Sequence, residues 1–306
     1  MASIPLVLRG AALALAAALA ACAPVARAPA PSPLHVLTPA PAARPESLTF
    51  LLPGALTTSA VFGPARGWGD ARHPVIEYRL PGMQGQPVHP RLTIRGAAAW
   101  IAAQANLQPN ARIHLLAYST GAAIAFEAAP LIKNPSRVTI AAVSPATPFP
   151  GAALAALRGG FQVAGSAIAT GSFGWQPIWE DYFKTLWFGK GWRASPEKRA
   201  RAEDLVRRLR DQIETPGGGR GKAQSWALLL WTLSDAARHS GARIAIFHGE
   251  LDPVFPLPQV RALAQALGAD LCVLPEGGHL LLQSQPELID RIREYLLDPE
   301  IPPRCP

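Results

Sequence analysis

Short, mostly apolar runs separated by stretches of helical period leave this chain few folds to choose from. The runs are Leu48–Leu52, Val75–Leu80, Arg112–Ala117, Val138–Val143, Arg243–Phe247 and Leu271–Leu274. A strand reads this way when both of its faces are covered. Between the runs lie predicted helices over Leu92–Ala105, Thr120–Ile132, Leu257–Leu267 and Pro286–Leu297. Parallel neighbours need a crossover long enough for a helix, so the alternation predicts an α/β fold with a mostly parallel central sheet flanked by helices. Ala122, Ala123, Ala125 and Ala128 give the helix after residue 119 a small-residue face that can approach the sheet closely. No internal repeat is visible.

Residues 150–240 interrupt the rhythm with aromatic side chains, Trp179, Tyr182, Phe183 and Trp187 among them. Ser195-Pro196-Glu197 opens a helix there with a capping residue and a proline at its first position. Leu205, Leu209 and Ile213 follow as a buried stripe, and Thr215-Pro216-Gly217 ends it. The segment reads as a helical cap inserted over a functional site, its aromatics lining the site or filling the cap's own small core.

The ends carry processing and tethering signals. Arg9 and the short apolar run Ala11–Ala21 read as an export signal, too short to span a bilayer. Leu19-Ala20-Ala21-Cys22 resembles the lipobox of bacterial lipoproteins, so residues 1–22 are expected to be a signal peptide with lipidation at Cys22. Acyl chains contribute about 0.8 kcal/mol per buried CH₂ and would anchor the body. Ala23 after the cysteine, by the same resemblance, implies the outer membrane of the cell envelope, facing the periplasm. Residues 23–46, dominated by Pro and Ala, read as an extended tether. Residues 47–306 are left as one α/β domain with the cap at about 150–240. The formal charge of +8 is densest at Arg199, Arg201, Arg207, Arg208 and Arg210, interleaved with acids as on a solvated helix face. No aromatic-basic platform accompanies it, which argues against nucleic acid. Cys272 is either a small core residue or a disulfide partner of Cys305, and no spacing suggests a metal or cofactor site.

A serine, an aspartate and a histidine each fall at the end of a predicted strand. Ser119 sits in Ala117-Tyr118-Ser119-Thr120-Gly121, between a strand and a helix. Such a sharp turn needs small neighbours and presents the hydroxyl at the sheet edge. Asp252 follows the run at Arg243–Phe247, with Glu250 as its rival and no acid in Ser144–Pro150. His279 lies in the glycine-flanked loop Glu276-Gly277-Gly278-His279 after the last strand. A serine hydroxyl becomes nucleophilic when a histidine takes its proton and a carboxylate orients that histidine. Ser119, His279 and Asp252 are therefore the candidate triad. Ser172, in Gly171-Ser172-Phe173-Gly174, lacks the strand and helix and is a decoy. His248 and His114 read as packed or surface histidines. The oxyanion donors are expected to be the backbone N–H groups of Thr120 and Ala55, with Leu56 second to Ala55.

On these residues the body resembles the α/β-hydrolase superfamily. Pro53-Gly54 stands where many members have His-Gly, and Arg79-Leu80-Pro81-Gly82-Met83-Gln84-Gly85 is similar to their Asp-x-Pro-Gly-His-Gly loop with substitutions at the acidic and histidine positions. Gly249-Glu250-Leu251-Asp252 and Gly278-His279 resemble their acid and histidine turns. The resemblance covers roughly 47–149 and 241–298 and implies an α/β-hydrolase fold. The expected activity is a serine hydrolase acting on a small ester or acyl substrate with an apolar portion, without a cofactor. Thioesterase, peptidase and carbon-carbon hydrolase chemistry are alternatives within the class. The rival outside it is a catalytically silent lipoprotein binding a ligand or an envelope partner.

Overall fold

Each apolar run finds its neighbours in one sheet. The computed structural model describes residues 31–305. Its strands are β1 (Leu34–Val36), β2 (Ser47–Leu52), β3 (Val75–Tyr78), β4 (Arg112–Tyr118), β5 (Val138–Val143), β6 (Arg243–Gly249) and β7 (Asp270–Leu274). They lie in the order β1-β3-β2-β4-β5-β6-β7. All pairs are parallel except β1 with β3. Alternating side chains point to opposite faces. Phe50, Leu52, Leu115 and Ile140 belong to one core cluster, and Leu51, Leu116, Ala141 and Phe247 to the other.

The first strand corrects the domain boundary. Leu34–Val36 lies within the stretch 23–46 read as tether, yet it pairs along β3 with Leu34 opposite Tyr78. Thr38 is buried and its hydroxyl accepts from the Val75 amide at 2.9 Å. Residues 34–46 thus belong to the folded body. An edge strand this short leaves no periodic trace among prolines. The expected signal peptide, Cys22 and the first part of the tether fall outside the described residues.

On the faces lie α1 (Ile94–Asn106) and α2 (Thr120–Ala128), the latter buried along its whole length. The cap comprises α3 (Gly151–Thr170), α4 (Trp175–Phe188), α5 (Pro196–Leu209) and α6 (Arg220–Leu229). The chain then closes with α7 (Leu257–Leu267) and α8 (Leu288–Leu297). Ser195 caps α5 by accepting from the Lys198 amide at 3.2 Å, as its sequence suggests. On the same helix Arg207 and Arg208 pair with Asp204, which makes the basic run a solvated, ion-paired face. The cap aromatics divide. Trp187 and Trp192 are buried with the sheet's second face, whereas Phe161, Phe173, Trp175 and Trp226 are exposed. α3 is long and apolar enough to cross a bilayer by length and composition; Ala155 packs into the first core cluster, while Leu154, Leu157, Phe161 and Ile168 are exposed. Cys272 and Cys305 form a disulfide with their Cα atoms 5.0 Å apart.

Candidate active site

Parallel strands bring their carboxyl ends to one edge, and the loops leaving β4, β6 and β7 meet there. Ser119 turns the chain from β4 into α2 with φ 52° and ψ −115°, a conformation that a side chain bears only where its surroundings dictate it. Those surroundings are on hand: its amide donates to the Val143 carbonyl at 3.1 Å, and its carbonyl accepts from Ala122 and Ala146 at 3.0 and 3.1 Å. Gly121 is required by close approach, since a Cβ there would run into the Leu52 carbonyl.

His279 Nε2 lies 3.1 Å from Ser119 Oγ, and its Nδ1 lies 2.7 Å from Asp252 Oδ2. All three residues are buried. Asp252 Oδ1 accepts from the Val254 and Phe255 amides at 2.7 and 3.0 Å, which fixes the carboxylate plane. Burial pushes the Asp252 carboxyl up. The charge and hydrogen bond of His279, with help from His248 and the Phe255 amide, outweigh burial and hold it below the ordinary carboxylate range. An ionised Asp252 takes a hydrogen bond from Nδ1–H of His279, leaving Nε2 to accept from the Ser119 hydroxyl. The Tyr118 and Phe255 rings flank the imidazole at centroid distances of 5.2 and 5.7 Å.

The rival residues lie elsewhere. Glu250 is exposed and points no hydrogen bond at His279. Ser172 Oγ accepts from the Gly174 amide at 3.1 Å in the turn between α3 and α4, far in role from any histidine. His114 is buried inside β4, its imidazole pushed down to about 4 by burial, then by the charges of Arg112 and His73. His248 is a packed histidine, as expected, but it packs against the site. Its Nε2 meets the Phe255 carbonyl at 2.9 Å, and its Nδ1 lies 3.7 Å from Asp252 Oδ2.

Ser119 and His279 open into a cavity of about 230 Å³ walled by cap and body together. Ala55, Leu56 and Thr120 line it, with Ala152 and Ala155 of α3, Tyr182, Phe183 and Leu186 of α4, and Leu228 of α6. No Asp, Glu, Lys or Arg among the described residues faces it. Among the described residues, neither the Ala55 nor the Thr120 N–H has a hydrogen-bond acceptor. The Leu56 N–H is taken by Gln224 Oε1 at 2.7 Å, so the second-choice donor is already spoken for. A larger surface depression beside Lys198, Arg201 and Glu287 contains none of these groups.

Sequence reasoning missed two supports of this edge, Gln224 of α6 and Glu77 of β3. Buried Glu77 binds the Ser59 hydroxyl, Arg79 Nε at 2.7 Å and Gln84 Nε2 at 3.2 Å, tying the loop after β2 to the loop after β3. A charge in the middle of an apolar strand was its available signal. Gln224 sits in a helix of mixed composition and gave none.

The alpha/beta hydrolase family model matches residues 49–291. The chain belongs to that family. Solved structures share the fold of this alpha/beta hydrolase at low identity. A thermophilic esterase from Thermogutta terrifontis is 20% identical with a TM-score of 0.60, over 83% of this chain and 90% of its own. A structure from a study of carboxylesterases of Nitrososphaera gargenis is 17% identical at TM-score 0.62, over 86% and 93%. MenH from S. aureus is 14% identical at 0.61, over 86% and 97%. At such identities the likeness is one of fold. No curated protein sequence matches significantly.

Proposed function

We propose that this hydrolase cleaves ester-type bonds through an acyl-enzyme on Ser119. The observation that carries the reading is the hydrogen-bonded relay Ser119–His279–Asp252 opening into an apolar cavity without a charged side chain. His279 Nε2 takes the hydroxyl proton as Ser119 Oγ bonds to the acyl carbon, and passes it to the departing alcohol as the carbon-oxygen bond breaks. Asp252 stabilises the imidazolium between these steps. Water then attacks the acyl-enzyme, giving its proton to the same nitrogen, and Ser119 leaves with it. The N–H groups of Ala55 and Thr120, residues that line the cavity and whose amides have no other acceptor among the described residues, hold the oxyanion. The alanines of α3 and the aromatics of α4 suit an uncharged, apolar acyl or aromatic portion. Mature wild type should react covalently with a fluorophosphonate probe and hydrolyse short p-nitrophenyl esters. Ser119→Ala should abolish labelling and lower kcat by about 10⁴-fold or more, while Ser172→Ala leaves both intact. Wild type inert to both reagents would favour a binding protein instead.

We also propose that Cys22 carries lipid and holds the body at the outer membrane of the cell envelope. The lipobox resemblance supports this, and so does the Cys272–Cys305 disulfide, a bond at home in oxidising compartments. A palmitate analogue supplied to a lipoprotein-competent bacterium should label wild type and miss Cys22→Ser. An unlabelled wild type would reduce the segment to a plain export signal.

A further inference from the structure

Ala55 is a donor only if its peptide plane faces the cavity, and the loop that carries it has little to hold it. Pro53 has no side-chain hydrogen bond to offer, and Leu56 stands at φ 57°, where a non-glycine residue persists only under external constraint. The constraint comes from both sides of Ala55. On one side, the Gly54 carbonyl accepts from the Thr57 amide at 3.1 Å and from Thr57 Oγ1 at 2.8 Å. Pinning that carbonyl turns the N–H of the same trans peptide, which is the Ala55 N–H, the opposite way. On the other side, the Leu56 amide donates to Gln224 Oε1 at 2.7 Å, which fixes the following plane.

Gln224 belongs to the cap, not to the sheet. Its side chain is fully buried, and its Nε2 donates to the Pro81 carbonyl at 2.8 Å. One amide thus bridges the loop after β2 and the loop after β3. The helix that brings it is itself seated on the body: the Ala223 carbonyl accepts from the Leu92 amide at 2.9 Å, and Arg220 packs where a Cβ on Gly82 would stand. Both hydrogen-bonding ends of the glutamine are used, and a buried backbone N–H without its partner would be penalised.

We propose that Gln224 is a positioning residue for the oxyanion loop, so that a cap helix, and not the sheet alone, sets the direction of the Ala55 N–H. This rests on the serine-hydrolase reading above. A misaimed donor weakens stabilisation of the tetrahedral oxyanion more than it weakens binding of the planar ester. The consequence is a split between kcat and KM. A packing role alone would instead loosen the cavity wall and raise KM.

The test uses the mature protein and p-nitrophenyl butyrate, with Gln224→Met to remove both hydrogen bonds at similar volume. Gln224→Glu keeps the acceptor for the Leu56 amide and serves if the methionine variant fails to fold. Gln224→Met should lower kcat at least about tenfold, short of the ~10²–10³-fold for an oxyanion donor removed outright, and Gln224→Glu, which keeps the bond to the Leu56 amide and loses only the one to Pro81, by a few-fold, both with KM within about twofold of wild type. The rate of fluorophosphonate labelling should fall in step, because its phosphoryl oxygen uses the same donors. Lys222→Ala, exposed on the same helix, should change neither. Folded variants with wild-type kcat and labelling rate, or with KM raised at unchanged kcat, overturn the assignment of Gln224. A wild type that resists the probe overturns the serine-hydrolase reading itself, and the assignment falls with it.

Discussion

Both oxygens of Asp252 are occupied, Oδ2 by His279 and Oδ1 by the Val254 and Phe255 amides. Replacing it with asparagine keeps an oxygen for the backbone amides and turns an NH₂ toward His279 Nδ1. The imidazole must then accept at Nδ1 and carry its proton on Nε2, the nitrogen that should receive the proton of Ser119. Asp252→Asn should therefore lower kcat by about 10⁴-fold on a p-nitrophenyl ester, with KM little changed. A variant within tenfold of wild type would remove Asp252 from the relay. The pH dependence of stability has a definite sign. The folded-state carboxyl lies below its ordinary value, so the unfolded chain takes up the proton first as pH falls. The stabilisation is complete above the unfolded value of about 3.9 and is lost as pH drops through the lower folded one. Urea unfolding should show a wild-type advantage over Asp252→Asn that is flat from about pH 7 to pH 5 and shrinks toward pH 3.

At the scale of elements, the sequence is legible where a run is both apolar and long. β5 and α7 begin and end where their sequences predict, and β4 and β6 differ only by extending to Tyr118 and Gly249. Those extensions are short because strand pairing continues until a turn residue stops it. The helix expected over Thr120–Ile132 ends instead at Ala128, and Ala129–Leu131 tighten into a 3-10 turn. Pro130 lacks the N–H that another α-helical turn would need. Ser119, Asp252 and His279 could be read because each sits just beyond a strand, where parallel topology gathers carboxyl ends. β1 could not, since an edge strand of a few residues is recognised by its partner and not by its own pattern. Gln224 belongs to the same class. Its importance lies in Leu56 and Pro81, far away in the chain, and nothing local separates a glutamine that bridges loops from one that meets solvent.

Across the whole molecule, the carboxyl-terminal tail is held against a sheet whose working edge lies elsewhere. Two devices hold it. Arg243 Nη1 donates to the Tyr295 and Asp298 carbonyls at 2.9 and 3.1 Å, Nη2 donates to the Ile301 carbonyl, and the guanidinium lies 4.0 Å from the Tyr295 ring centroid. The Cys272–Cys305 disulfide closes a loop with a sequence separation of 33 residues. A cross-link of that span restricts the unfolded chain by about 3–4 kcal/mol in the loop-entropy treatment. The Arg243 contacts do not involve either cysteine, so the folded tail should remain in place and the effect should fall mainly on the unfolded state. Cys305→Ser, or reduction of wild type, should lower the urea midpoint by an amount equivalent to about 3–4 kcal/mol. Among the described residues, no hydrogen bond or ion pair joins Cys272 or Cys305 to Ser119, Asp252 or His279, so kcat of the folded protein should stay within about twofold of wild type. A midpoint that does not move on reduction would mean that the tail is already restrained in the unfolded chain. A fall in kcat alongside it would mean that β7 passes strain from Cys272 to the loop of His279.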